Sequence, residues 1–181
     1  MSEIKHIGGL KELQLLLDQL PAKVEKNIMT GALRAGAKLI LMTARANVPV
    51  ATPNQRNQML YGGYAGALRD SLRLSSQFRN GQVVVSIKAG GKTKRGGDAY
   101  YARFVEYGTS SHRIRAKAGG KLFFGGKFHT EIMHPGAKPK PFMRPALDEN
   151  GFSAMIAAAE YIKKRLATKE GLDTSAIEID L

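Results

Sequence analysis

The sequence predicts an α+β fold: a small antiparallel β-sheet packed against a long N-terminal helix, with a second C-terminal helix and long basic loops. Three observations predict it. Apolar residues recur at helical spacing between Val24 and Ala46, two alternating runs flank the dipeptide Asn80-Gly81, and a second helical face runs from Met155 to Leu166. The chain has 181 residues, of which 43% are hydrophobic, enough apolar side chain for a core. One α+β unit over residues 1–169 is expected, with loops 88–98 and 109–141 projecting and an acidic tail over residues 170–181.

The elements follow in order. Leu10, Leu13, Leu16, Leu17 and Leu20 step as one helix face after Gly8-Gly9. Pro21 suits the first turn of a new helix, where a missing N–H costs nothing. Val24, Ile28, Ala32, Ala35, Leu39, Met42 and Ala46 then form one stripe on a helix of roughly 25 residues, about 37 Å long. Gly31 and Gly36 each cost about 1 kcal/mol of helix propensity. That cost implies that a strand or a neighbouring subunit approaches closely there. The Pro, Asn and Gly of residues 50–66 read as a loop.

Leu68, Leu72, Leu74 and Phe78 fall at even positions, and Val83, Val85 and Ile87 at odd ones, the period of half-buried strands. Asn80-Gly81 between them is the strongest short hairpin signal. The Gly- and Lys-rich run over residues 88–98 reads as a mobile basic loop. Tyr101, Phe104 and Tyr107 stand at helical spacing and are expected in the core. Residues 109–145 form an expected long loop, in which Phe123-Phe124 and Phe128 could pair about Gly125-Gly126. Pro145 opens the last helix, whose apolar face is Met155, Ile156, Ala159, Ile162 and Leu166. Lys163, Lys164, Arg165 and Lys169 complement the dipole at its end. The tail is expected to be extended and able to add to a neighbour's sheet edge, because Ile177 and Ile179 alternate with acids.

Charge is the informative part of the composition. The formal net charge is +13. Residues 88–127 hold ten Lys or Arg against two acids, Asp98 and Glu106, whereas no base follows Lys169. A basic middle favours polyanions or acidic partner surfaces, and complementary charged segments suit head-to-tail subunit contacts. The chain has no cysteine, which excludes disulfides, thiolate metal sites and cysteine nucleophiles. Residues 1–10 carry no signal-peptide pattern, and no run approaches ~18 apolar residues, so no membrane span is expected.

The residues offer little for catalysis. His129 and His134 are five apart, which misses the helical spacing of a zinc motif. Asp70 and Glu106 could be drawn as a carboxylate pair, but no spacing asks for it. Glu106, alone in a basic region, is expected to pair with an arginine: Arg69, Arg73 or Arg103 within the chain, or one across a subunit interface. The glycines before Lys92-Thr93 lack the spacing of a phosphate loop. No cofactor or metal is expected, and no enzymatic activity. Lys92, Lys94, Arg95, Arg113, Arg115 and Lys117 are the candidate DNA-channel or interface cations. Tyr100, Tyr101, Phe104 and Tyr107 beside the basic loop leave non-enzymatic nucleic-acid binding as the alternative.

Four patches, in order, carry a resemblance. They are Gly66-Ala67-Leu68-Arg69-Asp70-Ser71-Leu72; Tyr101-Ala102-Arg103-Phe104-Val105-Glu106-Tyr107-Gly108-Thr109; His134-Pro135-Gly136; and Lys140-Pro141-Phe142-Met143-Arg144-Pro145-Ala146-Leu147. The set, over roughly residues 8–167, resembles the neck or tail-component family of long-tailed, lambda-like double-stranded DNA phages. Ala65 departs from it, standing where a small hydroxyl residue often precedes the Gly-x-Leu. Residues 113–133 depart too and look expanded. The resemblance implies a structural virion protein, made in the host cytoplasm, that completes the tail or neck as a ring around the DNA channel. Six copies is the expectation by analogy with tail symmetry. The implied partners are its own copies, other neck, tail-terminator or tail-tube proteins, and genomic DNA touched non-specifically. No catalytic residues come with the family. Arg69, Glu106, Phe142 and Arg144 are the candidate structural or inter-subunit anchors, the last two because flanking prolines fix the chain around them.

Overall fold

A computed structural model describes residues 10–18, 20–50, 64–171 and 173–175. Helix α1 spans Leu10–Asp18 and α2 spans Ala22–Asn47. A short helix, α3 (Ala67–Ser71), leads into the hairpin β1 (Arg73–Arg79) and β2 (Gln82–Lys88). Helix α4 covers Ala102–Tyr107. Four short strands follow: β3 (His112–Arg115), β4 (Leu122–Phe124), β5 (Lys127–His129) and β6 (Glu131–His134). Helix α5 (Met143–Arg165) passes into a π-helical turn, Leu166–Glu170. The predicted α+β class holds.

The scaffold is the antiparallel pair α2 and α5. Ile28 packs near Ile162 at one end, and Ala44 near Ala146 at the other. At the waist the two backbones touch: a Cβ on Gly36 would strike the Ala154 carbonyl, and one on Gly31 would strike the Tyr161 ring. The partner that these glycines admit is therefore α5, where the sequence suggested a strand or another subunit. Two cores flank the waist. The first joins α1, the start of α2 and the end of α5 through Leu13, Leu17, Ile28, Ala32, Ile162 and Leu166. The second joins the end of α2 to α3, α4 and the start of α5 through Leu41, Ala44, Leu68, Leu72, Ala102 and Phe142, with Leu74 and Ile87 of the hairpin against it.

The apolar stripe of α2 departs from the sequence reading in its second half. Gly36, Leu41 and Ala44 are buried, whereas Met42 is 58% exposed and Ala46 is exposed. The close approach of α5 at Gly36 decides which face turns inward. Met155, expected inside, is likewise 54% exposed, and Ala154 takes the contact with α2.

The hairpin forms as predicted, in register Arg73↔Lys88 to Arg79↔Gln82. Asn80 (φ 51°) and Gly81 (φ 76°) supply the two left-handed residues that a type I′ turn demands. The strand starts later than the alternation suggested. Gly66, at φ 92°, turns the chain into α3, so Leu68 and Leu72 reach the core from a helical turn.

Residues 109–138 are not a structureless loop. Thr109 bridges Ala137 at the root, β3 pairs with β6, and β4 pairs with β5 about Gly125-Gly126. The result is a two-tiered β-arm on the order of 30 Å long at ~3.3 Å per residue. The hairpin tip within it follows the sequence reading. Residues 51–63 and 176–181 lie outside the described residues, so the loop expected over most of 50–66 and the extension expected around Ile177 and Ile179 are not described.

Candidate functional site

The four sequence patches meet at one place, between the second core and the root of the arm. Glu106, on α4, is buried, and its carboxylate accepts three backbone N–H groups at the start of α5: Phe142 at 2.8 Å, Met143 at 3.0 Å and Arg144 at 3.1 Å. Helix N-termini carry unpaired N–H donors and a partial positive charge, so a buried carboxylate fits there. This corrects the expected arginine partner within the chain: Glu106 caps a helix. Phe142 is 1% exposed and fills the second core, while the Arg144 side chain is exposed. The Val105 carbonyl accepts from Lys140 N–H at 2.8 Å, and Thr109 and Ala137 exchange backbone hydrogen bonds of 3.0 and 3.1 Å. A Cβ on Gly136 would strike the Thr109 carbonyl, which accounts for glycine in His134-Pro135-Gly136.

Beside this junction lies a cleft of about 600 Å³. Its lining brings together Arg45 from the end of α2, Arg69 beside α3's Asp70, Arg73 at the start of β1, and Lys92, Lys94 and Arg95 from the loop after β2. Asp70 is the one acid in that lining, 3.9 Å from Arg69. Arg45 donates to the Leu72 carbonyl at 2.8 Å, and Arg73 to the carbonyls of Ser71 and Gly90 at 3.0 and 2.7 Å. These bonds fix the guanidinium groups without neutralising them. Among the described residues, no carboxylate lies in salt-bridge reach of Arg45, Arg73, Lys92, Lys94 or Arg95.

The loop carrying Lys92, Lys94 and Arg95 is tied back to the body. Lys92 and Asp98 pair through their backbones as an isolated antiparallel β-bridge, Thr93 N–H donates to the Gly97 carbonyl at 2.7 Å, and Ser71 Oγ accepts Gly90 N–H at 2.9 Å. The Tyr64 hydroxyl reaches both Asp70 (3.0 Å) and Thr93 (3.2 Å), and Arg95 lies 5.7 Å over its ring. Sequence reasoning found Arg69, Lys92, Lys94 and Arg95 but missed Arg45 and Arg73. Arg45's carbonyl partner lies 27 residues away and the farther of Arg73's two lies 17 away, so no local pattern marks them as cleft residues.

Arg113, Arg115 and Lys117 lie elsewhere, on the arm. Arg113 and Arg115 both pair with Glu131, at 3.5 and 3.0 Å. The His112 and His134 rings face each other across β3 and β6 at 5.0 Å, so His134 is not paired with His129. The described residues contain no cluster of three or more metal-ligating side chains, and no helix there is long and apolar enough to cross a membrane. A second groove, of about 350 Å³, is lined by Pro49, Val50, Leu68, Tyr101, Phe104 and Val105, with Lys138 and Lys140 beside them. Burial raises the Tyr101 phenol above its ordinary value, and Tyr100 and Tyr64 add to the rise. Phe104 and Tyr107, expected in the core, are 50% and 75% exposed, because Ala102 and Glu106 occupy the inner face of α4.

A family model described as "Bacteriophage HK97-gp10, putative tail-component" matches residues 11–108, just over half of the chain. The chain belongs to this bacteriophage tail-component family. Its role is structural, its place is the virion, and it works through contact with other structural proteins of the phage. No curated protein and no solved structure matches the chain. The family match takes in α1 to α4 and the whole lining of the cleft; the arm and α5 lie beyond it.

Proposed function

We propose that the chain is a neck or tail-completion component that assembles as a ring, six copies by analogy with tail symmetry, at the head–tail junction. The observation that carries this reading is the cleft: six exposed cations around one acid, with Arg45 and Arg73 held by backbone carbonyls. Such a surface suits either the phosphate backbone of DNA in a channel or an acidic face on the next ring. Exposed apolar residues on the arm and α4 support assembly, since exposed patches on a folded protein commonly mark interfaces. The role needs no catalytic group; it needs shape, charge and self-association.

The test is the triple charge reversal Lys92→Glu, Lys94→Glu, Arg95→Glu. Loss of tail-tube binding or of infectivity, with the fold intact by circular dichroism, is the expected result. Unchanged assembly and infectivity would remove the cleft from the account. The same cations support a second reading, a nucleic-acid binder acting as monomer or dimer. That reading requires submicromolar affinity for short duplex DNA that falls steeply with salt, in the absence of any larger assembly.

A further inference from the structure

The arm adds no residue to either core, unlike the β1–β2 hairpin, which is also two-stranded but packs Leu74 and Ile87 against the second core. Each tier is a two-stranded sheet with no third strand on either side among the described residues. Two-stranded ribbons are marginal alone in water. Three aromatic residues crowd the tip: Phe123, Phe124 and Phe128 are 67%, 60% and 69% exposed. Phe123 lies opposite Phe128 in the register, with ring centroids 5.2 Å apart. The opposite face of the same tier carries Lys127, across from Phe124. The tip therefore has one aromatic face and one face bearing a cation, and its edges are unpaired.

Open edges attract strands, and lysines on an edge restrict which strand can join. Arg113, Arg115, Lys117, Lys121 and Lys127 repel another arm. They favour an extended segment with carboxylates on one side and apolar residues on the other. The chain contains one such segment. In Ile177-Glu178-Ile179-Asp180-Leu181 the apolar residues fall at odd positions and the acids at even ones, and no base follows Lys169. As a strand, its alternation puts the isoleucines on one face and the acids on the other.

We infer that residues 177–181 of one copy add as a third strand to the arm tip of a second copy, with Ile177 and Ile179 on the face of Phe123 and Phe128 and the acids on the face of Lys127. The arm's root lies by the start of α5, and the tail leaves from its far end, about 35 Å away at 1.5 Å per residue. A link between these two places joins unlike surfaces of successive copies, which is the head-to-tail contact that closes into rings. The inference rests on the ring reading and names its contact.

Because the chain has no cysteine, crosslinking can test this in the full-length protein. Full chains carrying Thr130→Cys, beside the tip, are mixed with chains carrying one cysteine at Ile177, Glu178, Ile179 or Asp180, then oxidised mildly. Disulfides form only when Cα atoms come within about 7 Å, so strand addition predicts a yield that alternates along the tail and exceeds a Lys94→Cys control by about fivefold or more. The double substitution Phe123→Ser and Phe128→Ser should bring the yield down to the control. The inference is overturned by higher yield at Lys94, which would place the tail in the cleft. It is equally overturned by yields at the control level, by indifference to the phenylalanine substitutions, or, in a chain carrying both Thr130→Cys and the best tail cysteine, by a disulfide that closes within that one chain at high dilution. Sedimentation of the uncrosslinked protein separates the two failures. Rings without the crosslink reject this contact alone; no rings reject the assembly reading as well.

Discussion

The body and the arm of this protein solve opposite problems with the same kinds of residue. In the body, side chains from distant parts of the sequence close over one another: Phe142, Leu72 and Ala44 are buried together, and Glu106 reaches 36 residues ahead to cap α5. In the arm, the strands pair only with one another among the described residues, and Phe123, Phe124, Phe128 and Met133 stay in water. Long-range burial makes a rigid scaffold. A local ribbon with exposed aromatics makes little stability of its own and leaves its surface for a partner. The comparison teaches where to look for stability and where to look for assembly.

That contrast can be broken by substitution, and the largest effects belong to the body. Glu106→Ala leaves three N–H donors at a helix start without their acceptor, and is expected to cost about 3–5 kcal/mol in urea denaturation. Phe142→Ala empties a fully buried site and is expected to cost a similar ~3–5 kcal/mol. If either leaves the midpoint unchanged, the second core is not where the fold's stability resides.

Helix glycines sharpen the comparison at intermediate scale. Gly36→Ala gains ~1 kcal/mol of helix propensity but drives a methyl into the Ala154 backbone, an overpacking cost of about 1–3 kcal/mol, so net destabilisation is expected. Gly151→Ala, with open space beside it, should stabilise by up to about 1 kcal/mol. A thermal melt of both variants reads the difference in sign.

The smallest effects belong to the arm. Glu131→Gln breaks two exposed ion pairs and should change stability by less than ~1 kcal/mol. Phe123→Ser with Phe128→Ser, at residues already two-thirds exposed, should leave the unfolding free energy within about 0.5 kcal/mol of wild type while abolishing self-assembly. A large loss of stability there would mean that the arm is part of the core.

What the sequence disclosed follows the same division. Local signals were legible: the Asn80-Gly81 hairpin, the long helix starting after Pro21, and the turn at Gly125-Gly126 that closes the arm's tip. The pairing of β3 with β6 was not, because its strands are four residues long and separated by fifteen residues of glycine, lysine and short strand. The cap by Glu106 left only an indirect trace, a lone acid in a basic region and a helix whose first residues, Phe142-Met143-Arg144, offer no hydroxyl or carboxylate to cap it. The cleft was half legible. Clustered Lys92, Lys94 and Arg95 announce themselves, whereas Arg45 and Arg73 join them only through the fold.

The most direct test of the central claim is sedimentation velocity of the full-length protein, alone and with purified tail tubes. The account predicts a discrete closed species, about 118 kDa for six chains of 19.7 kDa, either in free solution or formed on the tubes. A monomer that ignores the tubes and binds short duplex DNA at moderate salt would contradict it.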